Sequence, residues 1–513
     1  MSYLLAALPI LVVLALMILL RWSGQRAGAA GWAIGCLIGA LAFGLTPNVW
    51  WVSQARGLYL SFVVLAVLWP ALFLYKIVDQ IGGIQAIAGG LQRAVVGRDT
   101  SGAGHGLLLL LLAWAFSGLL EGLAGFGLPI AIVAPMLVGL GVDPVISVAA
   151  VATGHAWAVT FGDMGVIFNT LTAIVNMNPS FLAPLAGLML GLACLCCGLV
   201  AARILGLAHL WPQVILLGLL MSAVQYALAV NRLAPLAALG AGLAGIAGGI
   251  LLAFLRFPRE ATDLTTSASQ ANQTRRLSAS LGSYASLAVL MSLIMLILPI
   301  NQAFNRVALQ LKYPQVVTSN GWVTRAGTQV FRPLTHPGSS ILLVAMLTYL
   351  AFRWLRLASA GDLAKAVSAT WGMAAPSSLG IIAMVGLSTL MEHCGMTMLL
   401  AQGLAGVMGG AYPVVSPLVG ILGAFATGSN NNSNVLFAPL QNSTAQLLKI
   451  DPRLLVAAQT AGGSLGSMIA PAKIIVGCNS AGIRGRDGEV LRHTLLYGIV
   501  IGLVLGFLAW VLS

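Results

Sequence analysis

Four titratable side chains stand in sequence apolar enough to lie in a bilayer: Glu121, His155, Asp163 and Lys473. An ionisable group at membrane depth is costly, so each is a candidate for chemistry. A carboxyl kept from water can take up and release a proton, which marks Glu121 and Asp163 as candidates for proton coupling. Histidine titrates near neutrality, so His155 suits either proton coupling or substrate binding. Lys473 brings a positive charge suited to an anion. Each has a plainer reading as well. Glu121 can cap backbone amides, His155 can be a hydrogen-bonded packing group, and a neutralised Asp163–Lys473 pair can be a structural bolt.

The polar groups cluster at two interruptions. One is EGLAGFGLP, residues 121–129, with Gly125, Phe126 and Gly127 at its centre; the other is TGSNNNSN, residues 427–434, with Gly428, Ser429, Asn430, Asn431, Asn432, Ser433 and Asn434. Irregular backbone at membrane depth survives only where protein or water satisfies its N–H and C=O groups. A carboxylate is held well by such a break, because backbone N–H groups at a half-helix start donate to it with Asn and Ser side chains beside them. The competing reading is a glycine packing motif with Asn bridges between helices. Gly125, Phe126, Gly127, His155, Ser429 to Asn434 and Lys473 are therefore candidate substrate-binding residues, and Glu121, His155 and Asp163 candidate proton-coupling residues. Glu392 and His393 fall at an expected helix end, where solvated charges are ordinary. Trp157 and Phe161 read first as core aromatics.

These residues must be positioned by membrane helices. The chain has 513 residues, of which 59% are hydrophobic and 7% charged, far below the roughly 25% charged of a soluble domain. Apolar runs long enough to span lipid recur at 3–20, 58–75, 181–200, 236–255, 284–300 and 494–512. The first lacks a basic n-region and a small-residue cleavage site, and reads as a retained helix. The net charge of +13 would suggest nucleic acid in a soluble protein. Here the bases sit mainly in short loops, where they set topology, and no nucleic-acid partner is expected. Of the six cysteines, Cys194, Cys196 and Cys197 share one apolar helix without zinc-ligand spacing, as packing residues do.

The bases also orient the chain. Arg21 and Arg26, Lys76, Arg93 and Arg98, the cluster Arg256, Arg259, Arg275 and Arg276, then Arg353, Arg356 and Lys365, and finally Arg484, Arg486 and Arg492 make one cytoplasmic set. That places the N-terminus outside, a polar cytoplasmic linker at 258–283, and an extracytoplasmic loop at 301–337 despite its four bases.

An internal repeat divides the chain. DPVISVAAVATG at 143–154 parallels DPRLLVAAQTAG at 451–462, with Asp, Pro, Val, Ala, Ala and Gly in register 308 positions apart. Upstream, residues 83–97 parallel 395–409 at a spacing of 312. Each half reads as a short interfacial amphipathic helix, a hairpin with a polar break, an Asp-Pro, and a helix that breaks at Gly. The expected fold is an all-α polytopic membrane protein of two inverted repeats. The first half is 1–257, with a re-entrant hairpin at 105–141 and a broken transmembrane helix at 144–178. The second is 284–513, with a hairpin at 412–450 and a broken helix at 452–475.

These motifs resemble the L-lactate permease family of bacterial carboxylate transporters. The resemblance rests on EGLAGFGLP, AIVAP and GHAWAVTFGD (154–163) in the first half. In the second it rests on TGSNNNSNVLFAPLQ, AAQTAGGSLGSMIAP and GRDGEVLRHTL (from Gly485), and it extends over nearly the whole chain. It implies a multi-pass protein of the bacterial inner membrane that imports 2-hydroxy monocarboxylates such as lactate or glycolate by proton symport. Its partners would be a small organic anion, the proton and the bilayer, with a homodimer as a candidate assembly and no cofactor. The plan is also similar to the wider ion-transporter superfamily, whose hairpin tips carry a Ser-Asn-Thr-like turn. The chain departs from the family pattern at Asp163, where a small residue is usual, at Lys473, where an amide is usual, and at Glu392-His393, where an Asn-Tyr pair is usual. The repeat sets Lys473 opposite Gly165, two positions past Asp163, so Asp163 and Lys473 are expected to face each other.

Three other functions compete: sodium coupling on the same scaffold, a membrane enzyme, and a passive channel. No His/Glu metal spacing, nucleophile elbow or phosphate loop supports an enzyme, and a channel has no need of titratable groups at two breaks.

Overall fold

Helices begin where the sequence supplies caps. Asp143 Oδ1 accepts from the N–H groups of Val145 at 2.8 Å and Ile146 at 3.1 Å, and Pro144 opens the helix Pro144–His155. Asp451 Oδ1 accepts from Arg453 N at 2.9 Å ahead of Pro452, which opens Pro452–Gly466. The repeated Asp-Pro is thus a repeated helix start: a side-chain acceptor for orphan N–H groups, then the residue that lacks one. In the computed structural model, which describes residues 2–20, 22–96, 103–125, 127–256 and 268–513, ten helical segments are long and apolar enough to cross a membrane.

Long helices of equal length stand 313 positions apart, Pro47–Gln80 and Ala360–His393, of 34 residues each. They pack along one another. Each ends at a left-handed glycine, Gly82 with φ 70° and Gly395 with φ 75°, before a short helix, Gly83–Val96 or Met396–Met408. The first hairpin follows as Ala103–Leu111, a π-turn at Leu112–Phe116, and Ser117–Leu123, returning as Leu128–Gly139. The second is Tyr412–Thr427 returning as Asn430–Leu448. Each broken helix packs on its own hairpin.

The two halves meet where both helices break. Ser464 Oγ donates to the carbonyl of Ala156 at 2.7 Å, and these residues are 308 positions apart, the spacing of the repeat. Thr160 Oγ1 donates to Thr460 O at 3.0 Å, and Thr160 N donates to Ser464 Oγ at 3.2 Å.

Two regions depart from the sequence-based boundaries. The span 258–283 does not stay a linker: 257–267 lie outside the described residues, and Ala268–Leu296 is one helix packed on Gly83–Val96. Its first turns are polar yet helical, because Arg93 Nη1 bonds Gln273 Oε1 at 2.6 Å and Arg275 bonds the carbonyl of Leu355. The segment 301–337 contains strands that its composition did not announce. Leu309–Tyr313 pairs antiparallel with Gly327–Phe331, and Val316–Val317 with Val323–Thr324. This segment sits against the turn before Pro47, with Ser319 N donating to Gly44 O at 2.9 Å and Asn320 Nδ2 to Ala42 O at 3.0 Å.

Candidate functional site

Both polar interruptions are helix breaks. After Leu123 the chain turns extended at Ala124, and Gly127, with φ 81°, precedes the new helix Leu128–Gly139. Gly428, with φ 70°, ends the other hairpin's first helix, Ser429 is extended, and Asn430 opens the next. Left-handed backbone is nearly free for glycine and strained for other residues. The first broken helix adds three consecutive left-handed residues: Asp163 at φ 49°, Met164 at φ 51° and Gly165 at φ 81°. The second breaks at Ser467–Ala470 and restarts as Pro471–Ser480.

Between these breaks lies a cavity of about 340 Å³. Glu121, Asp163, Ser429, Asn430, Asn431, Asn432 and Lys473 line it, joined by Ser23, Gly24 and Gln25 from the start of the helix Gly24–Ala42 and by Ser377 from Ala360–His393. Three helix N-termini, at Gly24, Asn430 and Pro471, therefore open onto one space. A helix start carries a partial positive charge and unpaired N–H groups; at Pro471 the charge is the larger part, since proline has no N–H and the Lys473 N–H donates to Ala470 O at 3.1 Å.

The charged groups meet at Glu121. Lys473 Nζ lies 3.6 Å from Glu121 Oε1, and His155 Nε2 lies 3.9 Å from Oε2. Neither carboxylate oxygen of this fully buried side chain has a hydrogen-bond partner at normal length. Asp163 instead accepts from the backbone N–H of Gly125. A side chain at Gly125 would collide with the Glu121 carboxylate and crowd Asp163, so glycine there makes room for two acids. His155 Nδ1 is 2.7 Å from Val151 O, one helical turn back, which fixes the ring.

Several expectations are corrected here. Lys473 forms its ion pair with Glu121, not Asp163, because Asp163 is turned to the hairpin backbone. Glu392 and His393 are not free solvated charges: Glu392 is partly exposed but ion-paired, and His393 is withdrawn from solvent. Glu392 Oε1 takes Arg56 Nη1 at 2.7 Å, and His393 is fully buried with Nδ1 2.7 Å from Thr389 O.

The expected substrate-binding residues divide. Ser429, Asn430, Asn431, Asn432 and Lys473 face the cavity. Gly125, Gly127, His155, Ser433 and Asn434 do not line it. Ser433 Oγ donates to Gly420 O at 2.9 Å and accepts from Gln459 Nε2 at 3.1 Å, and Asn434 Nδ2 donates to Thr460 Oγ1 at 2.9 Å, so both tie the hairpin to the broken helix. Phe126 lies outside the described residues. Sequence reasoning missed Ser23, Gln25 and Ser377, ordinary polar residues whose signal is only tertiary. It also missed Arg56, a buried arginine whose Cζ sits 5.4 Å from the Tyr313 ring. An arginine between the apolar positions Ala55 and Gly57, early in a long hydrophobic helix, was the available clue.

The fold and site define a multi-pass α-helical membrane protein with a charged cavity between helix breaks. The profile of the L-lactate permease family matches residues 2–513. The chain is similar to the glycolate permease of Escherichia coli, 27% identical with 99% of this chain and 95% of that protein covered. It is also 26% identical to the L-lactate permease of Bacillus subtilis, covering 98% of this chain and 94% of that one. Among solved structures, the YdaH transporter of Alcanivorax borkumensis shares 16% identity at a TM-score of 0.47, covering 88% of this chain and 85% of that one. The chain belongs to the L-lactate permease family. It is a transporter of the bacterial inner membrane, not an enzyme.

Proposed function

We infer that this protein imports small 2-hydroxy monocarboxylates, lactate and glycolate among them, by proton symport through two inverted halves. The observation that carries this reading is the buried Glu121–Lys473 pair at the wall of a cavity onto which three helix N-termini open. Lysine and free N–H groups suit a carboxylate, and the volume suits a small acid. Similarity to a glycolate permease and an L-lactate permease supports the substrate class.

Charge balance supports the coupling. Glu121 and Asp163 face a single lysine, so with both ionised the cluster is already one negative charge in excess. A substrate carboxylate adds another. In a medium of low dielectric, uncompensated charge costs several kcal/mol, and uptake of one proton cancels the charge that the substrate adds without a second ion. Glu121 is the proposed proton carrier, since it touches both Lys473 and His155 and no hydrogen bond satisfies its oxygens. Lys473 is the proposed carboxylate partner, and His155 orients Glu121 from behind.

Proteoliposomes given labelled lactate under separate proton and sodium gradients test the reading. Accumulation should follow the proton gradient. Glu121→Gln should abolish accumulation and leave lactate exchange intact. Uptake driven by sodium alone, or a Glu121→Gln carrier that still concentrates lactate, overturns it.

A further inference from the structure

The amides at the second break are not equivalent. Asn430 Nδ2 donates to Thr160 Oγ1 at 3.0 Å, and its Oδ1 lies against the backbone of Gly463. Asn434 Nδ2 is committed to Thr460 Oγ1. Asn432 is only half-buried, with its Nδ2 near Gly24. Asn431 differs from all three. It is 6% exposed, it lines the cavity, and neither Nδ2 nor Oδ1 has a hydrogen-bond partner. Both atoms are free, so the conclusion does not depend on which way the amide is turned.

A buried amide without partners is costly, by about as much as a lost hydrogen bond for each group. A ligand that supplies both a donor and an acceptor recovers that cost. A hydroxyl does both, whereas a carboxylate only accepts and an alkyl group does neither. Lys473 and the helix starts already provide for the carboxylate.

We propose that Asn431 reads the 2-hydroxyl of the substrate and is the residue that separates 2-hydroxy acids from their unsubstituted counterparts. This rests on the reading of the cavity as a hydroxy-acid site. It assigns the selectivity, which proton coupling and the lysine leave open. A site built to hydrogen-bond a hydroxyl rejects the analogue lacking it more strongly than a hydrophobic pocket rejects a missing methylene, because its own polar groups are stranded.

The test compares lactate, pyruvate and propionate, acids of one carbon skeleton, as competitors of labelled lactate uptake in proteoliposomes. In the wild type, lactate should bind about tenfold or more tightly than propionate. Pyruvate should fall between them, since its oxo group accepts from Nδ2 but offers nothing to Oδ1. Asn431→Leu should bring lactate down towards propionate and collapse the ratio. Because Asn431→Leu can fail to fold, the wild-type order is a second measurement on which the assignment can fail. A wild type that does not rank the three acids in that order overturns the assignment. So does an Asn431→Leu carrier that weakens all three equally, the result expected if Asn431 held the carboxylate. A wild type that takes up none of them overturns the hydroxy-acid reading and this assignment with it.

Discussion

Glu121 has two ion contacts, both long and both buried, to Lys473 at 3.6 Å and His155 at 3.9 Å. Breaking a buried pair from one side strands a charge, at about 3–5 kcal/mol, whereas removing both partners costs far less. Lys473→Met should therefore lower the melting temperature in detergent markedly, and Glu121→Gln/Lys473→Met should restore most of it. Additive losses in that cycle would show that the two side chains do not act as a pair. Arg56 gives a second case away from the cavity. Its guanidinium is buried, bonded to Glu392 at 2.7 Å and set over Tyr313, so it ties two long helices to the strands of 301–337. Glu392→Gln should destabilise the carrier more than Arg56→Met, because it leaves the buried guanidinium without a counter-charge, whereas Glu392 is partly exposed and keeps water as a partner when Arg56 is removed.

Helix starts and close backbone contacts govern the elements. Asp451 caps Pro452–Gly466, and its bonds with Arg453, foremost from the side chain, hold its carboxyl below the usual carboxylate range. A lowered folded pKa contributes stability above the unfolded value of about 3.9 and loses it as pH falls through the folded value. Asp451→Ala should thus cost about 1 kcal/mol at neutral pH and progressively less as the pH is taken below 4, read from melting curves across pH. Since the Asp451–Arg453 contact is solvent-exposed, most of that loss belongs to the cap. A contrasting effect is expected at Gly462, where a Cβ would overlap the carbonyl of Pro417, just as one at Gly154 would overlap that of Ala113. These glycines are 308 positions apart, and each lets a broken helix touch its hairpin backbone to backbone. Gly462→Ala should destabilise by about 1–3 kcal/mol, whereas Gly139→Ala, with nothing within 4 Å of its would-be Cβ, should be neutral or better. Equal melting temperatures for the two variants would refute the packing argument.

For the whole molecule, the proposal of inverted halves is supported by paired elements at nearly constant spacing and by the Ser464–Ala156 contact between repeat equivalents. It predicts which side each surface faces. Single cysteines at Gln315 and Gln446 should react with a membrane-impermeant maleimide in intact cells, and those at Gly139 and Arg484 only after permeabilisation. Gly139 and Gln446 close the two hairpins, so labelling of both from the same side would refute the inversion.

The sequence by itself determined the class, because one linear run of hydrophobicity decides whether a segment enters a bilayer, and the Asp-Pro and glycine signals act on their own neighbours. The breaks, the repeat and the family were legible for that reason, as were Glu121, Lys473 and the amide cluster as costly polar groups in apolar surroundings. Only the tertiary structure decided the partners. Lys473 chose Glu121 over Asp163 because the Gly125 N–H, a backbone group with no sequence signature, took Asp163 first. Asn431 parted from Asn430 and Asn434 because Thr160 and Thr460 happen to face those two. Arg56 found Glu392 across 336 positions of chain, a pairing that two packed helices create and that no local pattern encodes.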